Sequence, residues 1–80
     1  MKISVLLFGI LKDIIGENTV SIEVVSPSNI KDVKLQFLKK YPKLIAYQNF
    51  SVAVNEAYEN DSYNIKENDV LALIPPVSGG

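Results

Sequence analysis

Residues 68–80 read NDVLALIPPVSGG, and this stretch guides how the rest of the sequence is interpreted. Within it, residues 70–74 form an uninterrupted apolar run, which predicts a core strand. Pro75 and Pro76 then lack backbone N–H donors and favour an extended polyproline geometry, so the chain is expected to leave the sheet stiffly. Residues 78–80 have almost no side-chain bulk, so another protein can close around their backbone. The stretch therefore predicts a strand followed by a thin, protruding tail.

The two glycines at the end have a simpler interpretation as a frayed terminus, since chain ends are often disordered. Their setting favours a working tail instead. Gly79 and Gly80 follow a Pro-Pro-Val spacer, and that spacer directly follows the predicted core strand. We therefore treat residues 1–74 as one small domain and residues 75–80 as its tail.

The residues before the last strand predict an α+β order of elements. Alternating apolar residues predict strands, and apolar residues spaced by three and four predict a helix. The predicted elements are strands at 2–8, 18–25, 51–55 and 70–74, a short helical turn at 9–15 and one principal helix at 29–42. Ser28 is the predicted N-cap of that helix and Pro42 its end. Tyr58, Tyr63 and Ile65 are expected to cover the core, giving one helix against a mixed sheet, the arrangement of a ubiquitin-like β-grasp roll.

Composition narrows the class of function. The 80 residues are 48% hydrophobic and 21% charged, with eight cations, all lysine, against nine acids. Since the net charge is only −1, no nucleic-acid or anionic-membrane surface is expected. Cysteine and histidine are both missing from the sequence, which excludes thiol and imidazole chemistry, and no metal site is expected. No signal peptide or apolar run of roughly 20 residues is recognised, so a cytoplasmic location is expected.

Strand parity predicts apolar side chains outside the core. If Val5 and Leu7 face the helix, the alternation of the strand leaves Phe8 on the outer face. The same argument applied to the last strand places Leu71 and Leu73 inside and Ile74 outside. Single exposed apolar residues are common, whereas contiguous ones tend to mark interfaces. Phe8 and Ile74 therefore predict a docking surface beside the root of the tail.

The whole chain resembles the small, sulfur-carrying subunit of molybdopterin synthase, in the ubiquitin-like family that also contains the thiamine-pathway sulfur carrier. The resemblance lies in residues 75–80 (PPVSGG), 68–74 (NDVLALI) and 52–56 (VAVNE), in the opening strand, and in Tyr41-Pro42 at the end of the helix. The PPVSGG sequence is specific to this branch, because ubiquitin and the thiamine carrier have Gly-Gly without the Pro-Pro-Val spacer. Glu67-Asn68 departs from a glycine that the family often has before the aspartate, which affects the turn type rather than function.

The resemblance implies a chemistry centred on the last residue. An E1-like adenylyltransferase would use ATP to adenylate the carboxylate of Gly80, and sulfur would then replace an oxygen to give a thiocarboxylate. The carrier would donate this sulfur to precursor Z, a cyclic pyranopterin monophosphate, to form the molybdopterin dithiolene. The implied reacting residues are Gly80 and its neighbour Gly79. This chain would bind no cofactor itself, because the activating partner uses the ATP.

The resemblance also implies a partner and a docking surface. The partner is the large subunit of molybdopterin synthase, in a heterotetramer with a carrier at each end of a dimer of large subunits. The carrier would act as a non-catalytic, sulfur-donating subunit. The implied partner-binding residues form an apolar patch and the tail that follows it: Phe8, Tyr58, Ile74, Pro75, Pro76, Val77 and Ser78.

Other classes of function remain open on the sequence. A ubiquitin-like protein modifier would join Gly80 to a lysine of another protein, using the same activated carboxylate. A sulfur carrier for another pathway, such as thiamine, thiolated tRNA or cysteine synthesis, fits the Pro-Pro-Val spacer less well. A plain binding module with an inert tail predicts that deletion of Gly79 and Gly80 leaves function intact.

Overall fold

The computed structural model describes residues 1–76, and it has the predicted α+β architecture with one principal helix and a mixed sheet. The strands are β1 Lys2–Leu7, β2 Thr19–Glu23, β3 Ser51–Val54, β4 Ala57–Tyr58 and β5 Val70–Ile74. The helices are α1 Gly9–Ile15 and α2 Ile30–Lys40, and a 3₁₀ helix, Pro42–Tyr47, follows α2. In this part of the chain, no helix is long and apolar enough to cross a membrane.

The last strand occupies the middle of the sheet. The strand order is β2-β1-β5-β3-β4, with β5 parallel to β1 and antiparallel to β3. Because β5 is hydrogen-bonded on both sides, its end at Ile74 is held by the whole sheet. The root of the tail is therefore attached to a strand that is paired on both sides.

The core lies between one face of the sheet and α2. Val5 pairs with Leu71 and Leu7 with Leu73, and all four side chains are buried. They pack with Ile3 from β1, as the alternation predicts, and with the buried stripe of α2, which consists of Ile30, Val33 and Phe37. Burying a large apolar side chain contributes about 1.5–3 kcal/mol, so this single cluster supplies most of the driving force for folding.

One prediction about the helix region was wrong, and one element there was not predicted. The N-cap of α2 is Asn29, not Ser28: the Asn29 side chain accepts a hydrogen bond from the Asp32 N–H at 3.0 Å, and the Asp32 carboxylate accepts one from the Asn29 N–H at 3.0 Å. This reciprocal capping box needs an acceptor three residues after the cap, which Asn29 has in Asp32. Ser28 is instead buried, and its hydroxyl donates to the Val25 carbonyl. Pro42 ends α2 as predicted but also begins the 3₁₀ helix, which the sequence pattern did not indicate.

Tyr58 does not cover the core. It lies on the two-residue strand β4 with 70% of its surface exposed, because this short edge strand turns it towards the outer face of the sheet. Tyr63 is half-buried and Ile65 is buried, so the prediction is confirmed for these two residues. Leu44 and Phe50, both buried, close the core from the segment after α2.

Asp69 anchors the start of β5 through a buried hydrogen-bond network. Its carboxylate accepts from the Asn55 amide at 3.0 Å, the Tyr63 hydroxyl at 3.1 Å and the Lys66 N–H at 2.8 Å. The Asn55 side chain also accepts a hydrogen bond from the Val70 N–H at 3.0 Å. Burial raises the pKa of the Tyr63 hydroxyl above its ordinary value, and the hydrogen bond to Asp69 raises this pKa further.

Replacement of Asp69 with alanine is expected to lower the free energy of unfolding by about 3 kcal/mol, because three donors lose a charged acceptor in a buried site. Urea denaturation measures this change. The control is Asp13→Ala on the exposed side of α1, for which we expect a change within about 0.5 kcal/mol. Equal effects of the two substitutions would contradict the structural role of the network.

Candidate functional site: an apolar groove beside the root of the tail

The outer face of the sheet forms an open groove with a volume of about 640 Å³. The groove runs across β1, β5, β3 and β4 and ends at the turn between β3 and β4. Its lining residues are Leu6, Phe8, Ala53, Asn55, Glu56, Tyr58, Val70, Ala72 and Ile74. The groove thus adjoins the point where the chain leaves β5 to become the tail.

The register of the strands explains the shape of the groove. Leu6 pairs with Ala72, Ala72 with Ala53, and Ala53 with Tyr58, so these four residues form one row across the sheet. The two alanines lie on the inner strands β5 and β3, where their small side chains form a floor. Larger side chains on β1 and β4 form the walls. The arrangement presents a concave apolar surface on the side of the sheet away from α2.

The residues predicted to form a docking patch lie together in this groove. Phe8 is 47% exposed and Tyr58 is 70% exposed, while Ile74 is half-buried at the end of β5. An apolar surface of this kind on a small domain is typical of a protein–protein interface. Their role in docking remains a prediction, but the structure does bring all three to one site.

Several groove residues were not predicted as site residues. Leu6, Val70 and Ala72 lie on the outer face by the same parity that placed Phe8 and Ile74 there. The alternation of residues along β1 and β5 was therefore sufficient to predict that these three side chains lie on the outer face. The sequence pattern does not reveal that Ala53, from a different strand, completes the floor.

A larger open depression lies on the other side of β3 and β4, next to α2, with a volume of about 920 Å³. Its lining includes Lys31, Lys34 and Asp61, and the Lys34 ammonium lies 2.7 Å from an Asp61 carboxylate oxygen. Because these charges are already paired or solvated, and because Ile74 at the end of β5 lines only the smaller groove of the two, we place the candidate site in that groove.

Gly9 packs against the root of the tail. A Cβ atom at Gly9 would lie 3.0 Å from the Cγ atom of Pro75, and the backbone of Gly9 has a φ of +54°. Pro75 is half-buried and Pro76 is exposed. The start of α1 therefore supports the first residue of the tail, a contact that the sequence did not predict. The predicted site residues Val77, Ser78, Gly79 and Gly80 lie outside the residues that the structure describes.

The substitution Gly9→Ala is expected to lower the free energy of unfolding by about 2 kcal/mol, because a left-handed residue gains a Cβ and that Cβ crowds Pro75. Gly16→Ala is the matched control, since Gly16 has a φ of +84° and a Cβ added there would meet no atom within 4 Å. For this control we expect the free energy of unfolding to fall by only about 1 kcal/mol, because alanine there is disfavoured by the left-handed backbone conformation alone. Thermal unfolding of both variants tests the difference, and Pro75→Ala should recover part of the loss only in the Gly9 variant.

The strand order, the single principal helix and the groove beside the tail define a ubiquitin-like β-grasp protein. The chain belongs to the ThiS family, whose model matches residues 5–80. The resemblance found in the sequence is thereby confirmed. The chain is 33% identical to the molybdopterin synthase sulfur carrier subunit of Arabidopsis thaliana, and the match covers 100% of this chain and 84% of that protein.

Solved structures show the same fold. SAMP1 from Haloferax volcanii is 26% identical to this chain with a TM-score of 0.85, and the match covers 100% of each chain. Subunits 1 and 2 of the molybdopterin-converting factor from Helicobacter pylori have been solved as a protein–protein complex. The matching chain of that complex is 27% identical, with a TM-score of 0.70 and 100% of both chains covered.

Proposed function

We propose that this chain is the sulfur carrier subunit of a molybdopterin synthase. The observation that carries the proposal is the 33% identity, across the whole chain, to a molybdopterin synthase sulfur carrier subunit. The geometry is consistent with that role. An exposed apolar groove lies beside the root of a tail that ends in Gly79 and Gly80, so a partner that covers the groove also receives the tail.

The chemistry takes place at the carboxylate of Gly80. A carboxylate resists substitution because its oxygen is a poor leaving group, so an E1-like adenylyltransferase first transfers AMP from ATP to this oxygen and releases pyrophosphate. Sulfide then attacks the carbonyl carbon, and AMP leaves with the oxygen to give the thiocarboxylate. The sequence has no cysteine, so the chain offers no thiol as an alternative site for the sulfur.

The partner is a large subunit whose active site lies close to the groove and holds precursor Z, the pterin that accepts the sulfur. Six residues, 75–80, separate the end of β5 from the reacting carboxylate. Such a segment spans at most roughly 20 Å when fully extended. The acceptor site must therefore lie within that distance of the docked Ile74. The solved complex of the related Helicobacter pylori subunits supports a heteromeric assembly, which we expect to be a heterotetramer.

An intact-mass measurement tests the sulfur carrier function. The protein is incubated with an E1-like adenylyltransferase of the same organism, ATP and a sulfur source. The expected result is replacement of one oxygen by sulfur, which requires ATP and is located at Gly80 by fragmentation. An unchanged mass, with an adenylyltransferase shown to be active on another carrier, would contradict the proposal.

A protein modifier is the second candidate function. It is favoured by the full-length structural match to SAMP1, since the Haloferax volcanii protein of that name is a small archaeal modifier protein. The same adenylated Gly80 would then form an isopeptide bond with a lysine of another protein. Mass spectrometry of tryptic peptides from the host distinguishes the two functions. Lysines carrying the C-terminal residues of this chain would favour the modifier, and a thiocarboxylate without such conjugates would favour the carrier.

A further inference from the structure

The turn between β3 and β4 places a glutamate in a conformation that favours glycine. Val54 pairs with Ala57, so the turn has two central residues, Asn55 and Glu56. Their φ angles are +49° and +74°. Positive φ at both positions is the pattern of a type I′ hairpin turn, in which Asn-Gly is the preferred sequence. Glutamate has no local hydrogen bond that compensates for its Cβ in this conformation.

The neighbouring asparagine has a structural explanation, whereas Glu56 has none. Asn55 tolerates a left-handed conformation, and its side chain bonds to Asp69 and to the backbone of Val70. Within residues 1–76, the Glu56 carboxylate takes part in no hydrogen bond or ion pair, and its side chain is exposed. A residue held in a sparsely populated conformation without a structural role is typical of a functional site.

Glu56 is also the only charged residue that lines the described groove. It lies at the end formed by the β3–β4 turn, beside the exposed ring of Tyr58. A partner that covers this groove removes water from the Glu56 carboxylate. Covering a carboxylate with an apolar surface is strongly unfavourable, because the charge loses its water without gaining a partner. If the carboxylate meets a cation of the partner, the cost is offset and the pair fixes the orientation of the partner.

We propose that Glu56 is a specificity-determining contact of the docking face and meets a lysine or arginine side chain of the partner. This inference rests on the proposed function, because it takes the partner to be the large subunit of molybdopterin synthase. The apolar floor supplies affinity without a preferred direction, because apolar contact is non-directional. A single acid at one end of the groove distinguishes the two ends, so the partner docks with its acceptor site towards the tail.

The charge is tested by association kinetics with the large subunit from the same organism. Glu56→Gln keeps the backbone and the size of the side chain but removes the charge. We expect this substitution to lower the association rate about fivefold at low ionic strength, with the difference shrinking as salt is added. Glu67→Gln is the matched control, since Glu67 is an exposed acid that does not line the groove. It should change the rate less than about twofold.

The backbone conformation is tested by two glycine substitutions. Glu56→Gly should raise the melting temperature, because glycine suits a positive φ, while it lowers the association rate as much as Glu56→Gln does. Asn68→Gly is the matched control, since Asn68 has a φ of +72° in a turn outside the groove. This control should raise the melting temperature and leave association unchanged. A variant that gains stability but loses docking cannot owe the loss to misfolding.

The outcomes separate this inference from the proposed function. If the unsubstituted chain does not bind the large subunit, the proposed function fails and the inference fails with it. If the unsubstituted chain binds but Glu56→Gln and Glu67→Gln have equal effects, only the inference fails. Sedimentation of the chain alone provides a third result: a change in self-association on Glu56→Gln would make the groove a surface between two copies and overturn the inference.

Discussion

Removal of Gly80 is expected to abolish sulfur transfer while the domain stays folded and still docks on its partner. The truncated chain keeps a terminal carboxylate, now on Gly79, but moves it about 3.5 Å back along an extended backbone. A displacement of even about 1 Å from the reactive geometry can cost roughly 100-fold in rate. We therefore expect thiocarboxylate formation to fall at least about 100-fold, measured by intact mass over a time course.

The same truncated protein supplies its own controls. Its urea unfolding midpoint and its affinity for the large subunit should match those of the unshortened chain, because Gly80 follows the strand and groove residues that determine both. Product formation from the pterin precursor in a reconstituted synthase should be undetectable. Unchanged synthesis by the truncated protein would rule out the Gly80 carboxylate as the site of the sulfur.

Ala72→Glu is expected to abolish docking with little effect on folding. Ala72 lies on the floor of the groove, on the central strand β5, between Leu6 and Ala53. In the free protein the new carboxylate faces solvent on the outer side of the sheet. In the complex it is covered by an apolar surface without a partner charge, which costs several kcal/mol, so affinity should fall at least about 100-fold. Titration calorimetry with the large subunit measures this loss.

Ala57→Glu is the matched control for Ala72→Glu. Ala57 is an exposed alanine on the neighbouring strand β4 and does not line the groove. The same substitution there should change affinity by less than about threefold, since rim and surface charges contribute little to affinity. Both variants should unfold within a few degrees of the unsubstituted protein. A larger loss of affinity for Ala57→Glu than for Ala72→Glu would contradict the assignment of the docking surface to the groove.

Most of the architecture follows from local patterns in the sequence. The alternation of Ile3, Val5 and Leu7 identified the buried face of β1, and the spacing of Val33 and Phe37 identified the buried stripe of α2. Such patterns are reliable because side chains repeat every 2 residues along a strand and every 3.6 along a helix. The same parity placed Phe8 and Ile74 on the outer face, where the structure has them.

The wrong predictions, and the 3₁₀ helix that was not predicted, occurred where one local sequence pattern is compatible with two structures. Ser28 and Asn29 are both good capping residues, and the reciprocal bonds between Asn29 and Asp32 decided between them. Proline at position 42 is able to end one helix or begin another, and here it does both. Tyr58 was expected both in the core and in the docking patch, and the short edge strand β4 places it in the groove.

The chemistry proposed for this protein was predicted from its amino-acid sequence without reference to the fold. The lack of cysteine and histidine, together with the Pro-Pro-Val spacer before Gly79 and Gly80, led to the prediction that the carboxylate of Gly80 is the reacting group. The surface that would present this carboxylate depends instead on tertiary structure. The row from Leu6 through Ala72 and Ala53 depends on the register between strands that are far apart in the chain. Register depends on the simultaneous packing of all the strands against α2, so local sequence patterns do not reveal the groove or the exposed charge of Glu56 on its rim.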